Sequence, residues 1–155
     1  MRNLDSLGAR MKNPLDPLLL SNQLCFALYS SSHLLTKAYK PLLKELGLTY
    51  PQYLTMLALW EEDGVTVGAL GERLYLDSGT LTPLLKRLEA AKLLKRERSG
   101  ADERQVFIHL TDKGRALKRA AATIPARAAS ATGLGLNELI SLRGRLGKLR
   151  DQLAE

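Results

Sequence analysis

Sulfur, imidazole and aromatic rings are all scarce in this chain. Its 155 residues include one cysteine, Cys25, and two histidines, His33 and His109. A lone cysteine cannot close an intrachain disulfide, and this ligand supply argues against a structural zinc site. Neither histidine has an acid or the cysteine nearby at ligand spacing, so both read as ordinary polar residues. Aromatic side chains make up only 5% of the chain, so the core has to be mainly leucine and alanine, which favours helices. No apolar run approaches a membrane span, and residues 1–13 lack the apolar stretch of a secretory signal. One cysteine without an export signal points to a reducing, cytoplasmic setting. Internal repeats, low-complexity tracts and catalytic constellations are missing too.

What is present is apolar bulk and positive charge. At 45% apolar the chain can build a real core for one compact domain, and its net charge is +7. Such an excess raises the odds of a polyanionic partner. The charge is uneven. Residues 61–85 hold one basic side chain (Arg73) against five acids, whereas 86–104 hold seven basic against four and 105–155 nine against four.

Along the chain, residues 1–13 read as a disordered extension. Asp16-Pro17 reads as a helix start, with Asp as N-cap and Pro in the first turn. The helical pattern runs from Leu18 through Tyr39, and Lys40-Pro41 should break or kink it before Gly47 ends it. Thr49-Tyr50-Pro51-Gln52 has the form of a capping box, and the helix after it is apolar on nearly every side. Val65-Thr66-Val67 is short and β-branched, with Thr66 able to cap the next helix. Two short helices then flank a break at residues 75–79, which is a helix-turn-helix signature. Leu94 to Arg98 and Val106 to Leu110 flank turn chemistry at Ser99-Gly100-Ala101-Asp102 and predict a hairpin, hence a wing. A basic, Ala-rich helix interrupted near Pro125 comes after it. The last helix carries Leu136, Leu139, Leu142, Leu146, Leu149 and Leu153 as a narrow stripe, a pattern suited to a partner subunit; plain packing within the chain is the alternative.

The fold class expected is mainly α with a small β-hairpin wing. Residues 48–112 would form a winged helix-turn-helix domain, and 14–47 with 113–155 a helical dimerisation region. On the recognition helix, Ser78, Thr80, Thr82, Lys86 and Arg87 would face DNA, while Leu81, Leu84, Leu85 and Leu88 face the core. Pro83 is awkward there, so the opening turn is expected to be irregular or the helix to start near Thr80. In the wing, Lys95, Arg96, Arg98 and Arg104 cluster about the turn, with Arg104 suited to a minor groove. Asp102 and Glu103 beside it would hold that arginine in place.

The runs Leu48-Thr49-Tyr50-Pro51-Gln52-Tyr53, Gly64-Val65-Thr66-Val67, Leu76 to Glu89 and Asp102-Glu103-Arg104 closely resemble the MarR family. With Gln23-Leu24-Cys25-Phe26-Ala27-Leu28-Tyr29-Ser30, the chain resembles that family's organic-hydroperoxide-sensing repressors. The match covers residues 15–115 well and the C-terminal helices only in pattern. The resemblance implies a homodimer bound to a pseudo-palindromic duplex operator, released when organic hydroperoxide oxidises Cys25. It implies that Tyr39 and Tyr50 hydrogen-bond the thiolate from the partner subunit, that Tyr29 is a third nearby tyrosine, and that Asp77 pairs with Arg104. No cofactor, metal or membrane partner is expected. No second cysteine is available to resolve the oxidised sulfur, so the chain resembles the single-cysteine subtype.

A free thiol is mostly protonated at neutral pH, so fast oxidation needs help. With a helix starting at Asp16, Cys25 would lie two turns in, beyond the reach of the helix dipole. The phenols are then the remaining stabilisers, while Tyr53 and Tyr75 read as packing residues. A small cellular thiol could react with the sulfenic acid, and the mixed disulfide or overoxidised form is expected to release DNA most completely. Two other readings stand beside this one. One is a MarR-type repressor released by a small aromatic ligand in the dimer crevice, with Cys25 incidental. The other is a one-cysteine thiol peroxidase, weakened by the lack of a cation near Cys25.

Overall fold

The computed structural model describes residues 16–100, 102 and 104–155; the expected extension 1–13 and Glu103 lie outside them. The chain forms two compact units, one ending at Lys37 and one comprising Ala38–Glu155.

In the first unit the expected helix start at Asp16 is instead a turn. The Asp16 carboxylate accepts the Leu18 N–H at 2.9 Å, and a single 3-10 turn spans Leu20–Asn22. Side-chain amides take the carbonyls that a continuing helix would use. Gln23 Nε2 donates to the oxygens of Pro17 and Leu19, and Asn22 Nδ2 donates to that of Asp16. Such local bonds compete with helix. Gln23 is extended, and α1 runs Leu24–Lys44. The helix does not break at Lys40-Pro41: Pro41 lies inside it. Proline costs one backbone bond there, and the residues beside it compensate by packing, with Leu43 fully buried and Tyr39 and Leu42 against the core. The chain leaves α1 as the sequence suggests, through Gly47 in the left-handed region (φ +67°), with the Leu46 and Leu48 amides both donating to the Leu43 oxygen.

In the second unit, α2 (Tyr50–Glu61) opens with Pro51 in its first turn and with Gln52 Oε1 accepting the Thr49 N–H at 2.8 Å. Its Tyr53, Thr55, Met56, Ala58 and Leu59 are buried, as a helix apolar all round requires. A two-residue strand β1 (Val65–Thr66) leads into α3 (Val67–Leu74), whose first turn is capped by Thr66 Oγ1 accepting from Ala69. Tyr75, at φ 55°, turns the chain toward α4 (Ser78–Ala90). The latter starts at Ser78 rather than Thr80 and accommodates Pro83.

Strands β2 (Leu94–Arg98) and β3 (Val106–Leu110) pair antiparallel from Leu94↔Leu110 to Arg98↔Val106. β1 adds to the other edge of β3 through Val65↔Ile108, giving the order β1-β3-β2. The wing is thus a three-stranded sheet, one strand more than the hairpin expected. Three helices complete the chain: α5 (Asp112–Ala121), α6 (Ile124–Ser130, with Pro125 in its first turn) and α7 (Leu136–Leu153).

The core joins Leu43, Tyr53, Met56 and Leu59 to Leu70, the buried leucines of α4, and Leu94, Ile108 and Ile124. Two features lock α5 to the base of the wing. A Cβ at Gly114 would stand 2.0 Å from the Leu93 carbonyl oxygen, so only glycine fits. Asp63 Oδ1 accepts the N–H groups of Gly64 and Leu110, and its Oδ2 pairs with Arg115. At α6, Arg127 forks onto Glu45, both bonds at 2.9 Å. None of α7 is buried; Leu136, Ile140, Leu142, Leu146 and Leu153 are all exposed.

Candidate nucleic-acid interface and redox site

Helix α4 buries Leu81, Leu84, Leu85 and Leu88. The same rotation leaves Ser78, Thr80, Lys86 and Arg87 exposed and Thr82 half-buried. The periodicity therefore delivers every recognition-helix residue singled out from sequence to the outer face.

Asp77 is the N-cap of this helix. Its Oδ1 accepts the Thr80 N–H at 2.8 Å and its Oδ2 the Thr80 hydroxyl at 2.9 Å. These bonds hold the carboxyl below its ordinary range. The expected ion pair with Arg104 is not formed in this structure, because the oxygens of Asp77 are committed to its own helix. Asp102 does act on the wing turn, by accepting the backbone N–H of Arg104 at 3.0 Å. Arg104 and Thr82 line one hollow of about 420 Å³, bounded by the start of α3, by α4 and by the wing, with Arg96 and Gln105. Recognition helix and wing tip thus face a shared space.

Arg96 departs from the sequence reading. It does not stand free in the basic cluster but is clamped by Glu89 of α4. Its Nε and Nη2 donate to Glu89 Oε2 at 2.8 and 2.7 Å, and its backbone N–H donates to Oε1 at 3.1 Å. The side-chain bonds lower the Glu89 pKa. Sequence reasoning missed Glu89 because its partner lies across a helix-to-strand turn, where residue spacing carries no register. The clamp ties α4 to β2 through both the side chain and the backbone of Arg96.

The tyrosines form a cluster. The Tyr39 ring lies 5.1 Å from that of Tyr50 and 5.8 Å from that of Tyr53, centroid to centroid. Tyr39 and Tyr50 are half-buried, and burial raises the pKa of both; Tyr50 further raises that of Tyr39. They are therefore neutral at physiological pH and keep a proton to donate. Tyr53 packs in the core as expected, at 1% exposure.

Cys25 is exposed. Because α1 begins at Leu24 and not near Asp16, Cys25 falls in its first turn rather than two turns in. Tyr29 comes one turn later on the same face, 63% exposed, its ring 4.4 Å from that of His33. His109 sits on the wing, 3.9 Å from Glu97 and stacked on Phe107. Among the described residues no cluster of three or more His, Cys, Asp or Glu is placed to hold a metal, and no helix is long and apolar enough to cross a membrane.

Residues 37–121 match the family model described as transcriptional regulator SarA/Rot. The chain is 57% identical over 115 residues to the organic hydroperoxide resistance transcriptional regulator of Bacillus subtilis, covering 74% of this chain and 78% of that one. It is 52% identical over 138 residues to the HTH-type transcriptional regulator TtmR of Methylorubrum extorquens, covering 89% and 71%. Among solved structures it resembles reduced AbfR bound to DNA, at TM-score 0.72 and 41% identity over 88% of this chain and 95% of that one. The overoxidised form of that Staphylococcus epidermidis protein, likewise bound to DNA, matches at TM-score 0.71 and 40% identity, covering 86% and 94%.

Proposed function

The chain belongs to the SarA/Rot and MarR type of winged-helix transcriptional regulators, and we propose that it is a homodimeric, cytoplasmic repressor that senses organic hydroperoxide through Cys25. Residues 48–112 bind DNA; 14–47 and 113–155 form the dimer. Ser78, Thr80, Thr82, Lys86 and Arg87 dock in the major groove and Arg104 in the adjacent minor groove, on a pseudo-palindromic duplex with half-sites roughly 10 bp apart. Asp102 orients the wing, and Asp77 pairs with Arg104 on docking, when the arginine settles against α4. The exposed leucines of α7 are covered by a second copy.

The observation that carries the sensing reading is the free, exposed Cys25 in the first turn of α1. Tyr39 and Tyr50 supply phenol protons to the thiolate of the partner subunit, and Tyr29 flanks it. The thiolate attacks the distal peroxide oxygen, taking that oxygen and releasing the alcohol. A small thiol then displaces water from the sulfenic acid to give a mixed disulfide. The added bulk separates the winged domains from operator spacing. Moving occupancy from 99:1 to 1:99 takes about 5.5 kcal/mol of differential stabilisation, more than the loss of a few hydrogen bonds supplies. Overoxidation is not the expected releasing form here, since overoxidised AbfR is bound to DNA.

The test uses a duplex selected from random sequence by the reduced protein. Cumene hydroperoxide with a small thiol should release the wild type and leave Cys25→Ser bound. Release of Cys25→Ser under the same treatment would remove the sensor assignment.

A further inference from the structure

Tyr75 occupies a place that suits neither its backbone nor its ring. As the C-cap of α3 it adopts the left-handed region, φ 55°, a conformation that crowds a Cβ and is usually given to glycine, sometimes to asparagine. The ring is 60% exposed, so burial does not offset the strain, and it is not the packing residue expected from sequence. What the ring does meet is a cation. The Arg150 guanidinium carbon stands 5.4 Å from the ring centroid, within the range of a cation–π contact. Arg150 Nε and Nη2 both donate to Asp151 Oδ1, at 2.9 and 2.7 Å. Those bonds run in the guanidinium plane and leave its flat faces for the ring. The contact joins elements that share little else. None of α7 is buried, and among the described residues no hydrogen bond or ion pair ties an α7 side chain to another helix or strand. Two residues after Tyr75, Asp77 caps α4, so the ring stands at the turn that aims the recognition helix.

We propose that Arg150 and Tyr75 are positioning residues for operator binding: seated on the ring, Arg150 struts the turn between α3 and α4 against α7, and so sets the distance between the two recognition helices of a dimer. The strut rests on the reading of α7 as a dimer helix. A pseudo-palindrome is read by both recognition helices at once, so their spacing matters only when both half-sites are engaged. Neither residue touches DNA in this role. Already paired with Asp151, Arg150 displaces no counterion from the duplex.

The experiment measures the affinity of the full-length reduced protein for the selected duplex and for a duplex carrying one half-site, across a salt series, with sedimentation reporting assembly. Arg150→Met and Tyr75→Asn should each bind the full duplex more weakly by about two- to fivefold per protomer. The double variant should be no weaker than either, and the salt slope should not change. On the half-site duplex all three should match wild type. Tyr75→Phe keeps the ring and should bind as wild type does. Tyr75→Asn should unfold in urea no earlier than wild type, since asparagine suits the left-handed backbone. Equal weakening on both duplexes, or a flatter salt slope in Arg150→Met, overturns the strut in favour of direct DNA contact. Wild-type affinity in both single variants overturns it outright, and early unfolding of Tyr75→Asn overturns it in favour of packing. Variants that sediment as monomers beside a dimeric wild type overturn it in favour of a role in assembly. If the wild type is itself a monomer, the dimer reading falls and the strut with it.

Discussion

The indole N–H of Trp60 donates to the main-chain oxygen of Gly114 at 2.9 Å. Lys118 Nζ donates in turn to the Trp60 oxygen, also at 2.9 Å. Together these bonds fasten the end of α2 to α5, beside the Asp63 contacts at the base of the wing. The start of α2 carries Tyr50 and Tyr53. One helix therefore has Tyr50, a proposed sensing phenol, at its first turn and the anchor to the base of the wing at its last.

Gly114→Ala should be among the most damaging single methyl additions. The new Cβ would stand 2.0 Å from the Leu93 oxygen, a backbone atom that cannot swing aside. We expect a loss on the order of 3 kcal/mol or more in urea unfolding. Trp60→Phe, which removes only the hydrogen bond and part of the ring, should cost roughly 1 kcal/mol. Wild-type stability in Gly114→Ala would contradict the packing described.

The Glu89–Arg96 clamp should leave a signature in acid. The Glu89 carboxyl is held below its ordinary value of 4.5 by the bonds from Arg96. Its contribution is therefore complete above that value and is lost as pH falls through the depressed one. Both side chains are about one-third exposed, so solvent screening limits the effect to about 1 kcal/mol or less. Glu89→Gln should be less stable than wild type at neutral pH, with the gap narrowing steadily as the solution becomes acidic. A gap that stays constant with pH would assign the effect to shape and not to charge.

Asp77 has a stability role in the free protein and a proposed binding role on DNA, and a double-mutant cycle separates them. In free protein, Asp77→Ala should lose the helix cap and with it some stability, and add independently to Arg104→Ala, since the two side chains are not paired. In operator affinity the same two substitutions should couple by about 0.5–3 kcal/mol. Additivity in both measurements would confine Asp77 to capping α4.

The exposed stripe on α7 offers a test of assembly. Leu142→Glu combined with Leu146→Glu places two charges on a face with no buried residue to disturb. The monomer's thermal unfolding should hardly change, while the dimer, measured by sedimentation, should dissociate and operator affinity fall with it. A persistent dimer would move the interface elsewhere.

Local chemistry was legible from sequence and long-range chemistry was not. Thr66 as a cap, Gln52 reaching back to Thr49, and the alternation Val106, Ile108, Leu110 each depend on neighbours a few residues away. The outward set Ser78, Thr80, Lys86 and Arg87 came from helical period alone. The start of α1 was misplaced because Gln23 and Asn22 bond backward to the carbonyls of Pro17, Leu19 and Asp16, a competition that no propensity scale weighs. Lys40-Pro41 suggests a break or a kink, and it is not a break: packing around Leu43 carries the helix through Pro41. β1 escaped notice because two residues form a strand only when β3, some forty positions away, is there to pair with them. Trp60–Gly114 and Glu89–Arg96 are tertiary bonds of the same kind.

The Glu89–Arg96 clamp also bears on how ions leave DNA when the protein arrives. An arginine already neutralised by its own protein displaces no condensed cation from the duplex. Among the described residues Lys86, Arg87, Lys95, Arg98 and Arg104 form no ion pair, so each can replace a counterion, with log–log salt slopes near −0.9 per phosphate neutralised. Arg104→Ala should accordingly flatten the salt dependence of operator binding by about one unit per protomer. Arg96→Ala should weaken binding at every salt concentration and leave the slope as steep as before: part of the wing's formal charge belongs to the architecture of the protein and never enters the exchange with the ionic atmosphere of DNA.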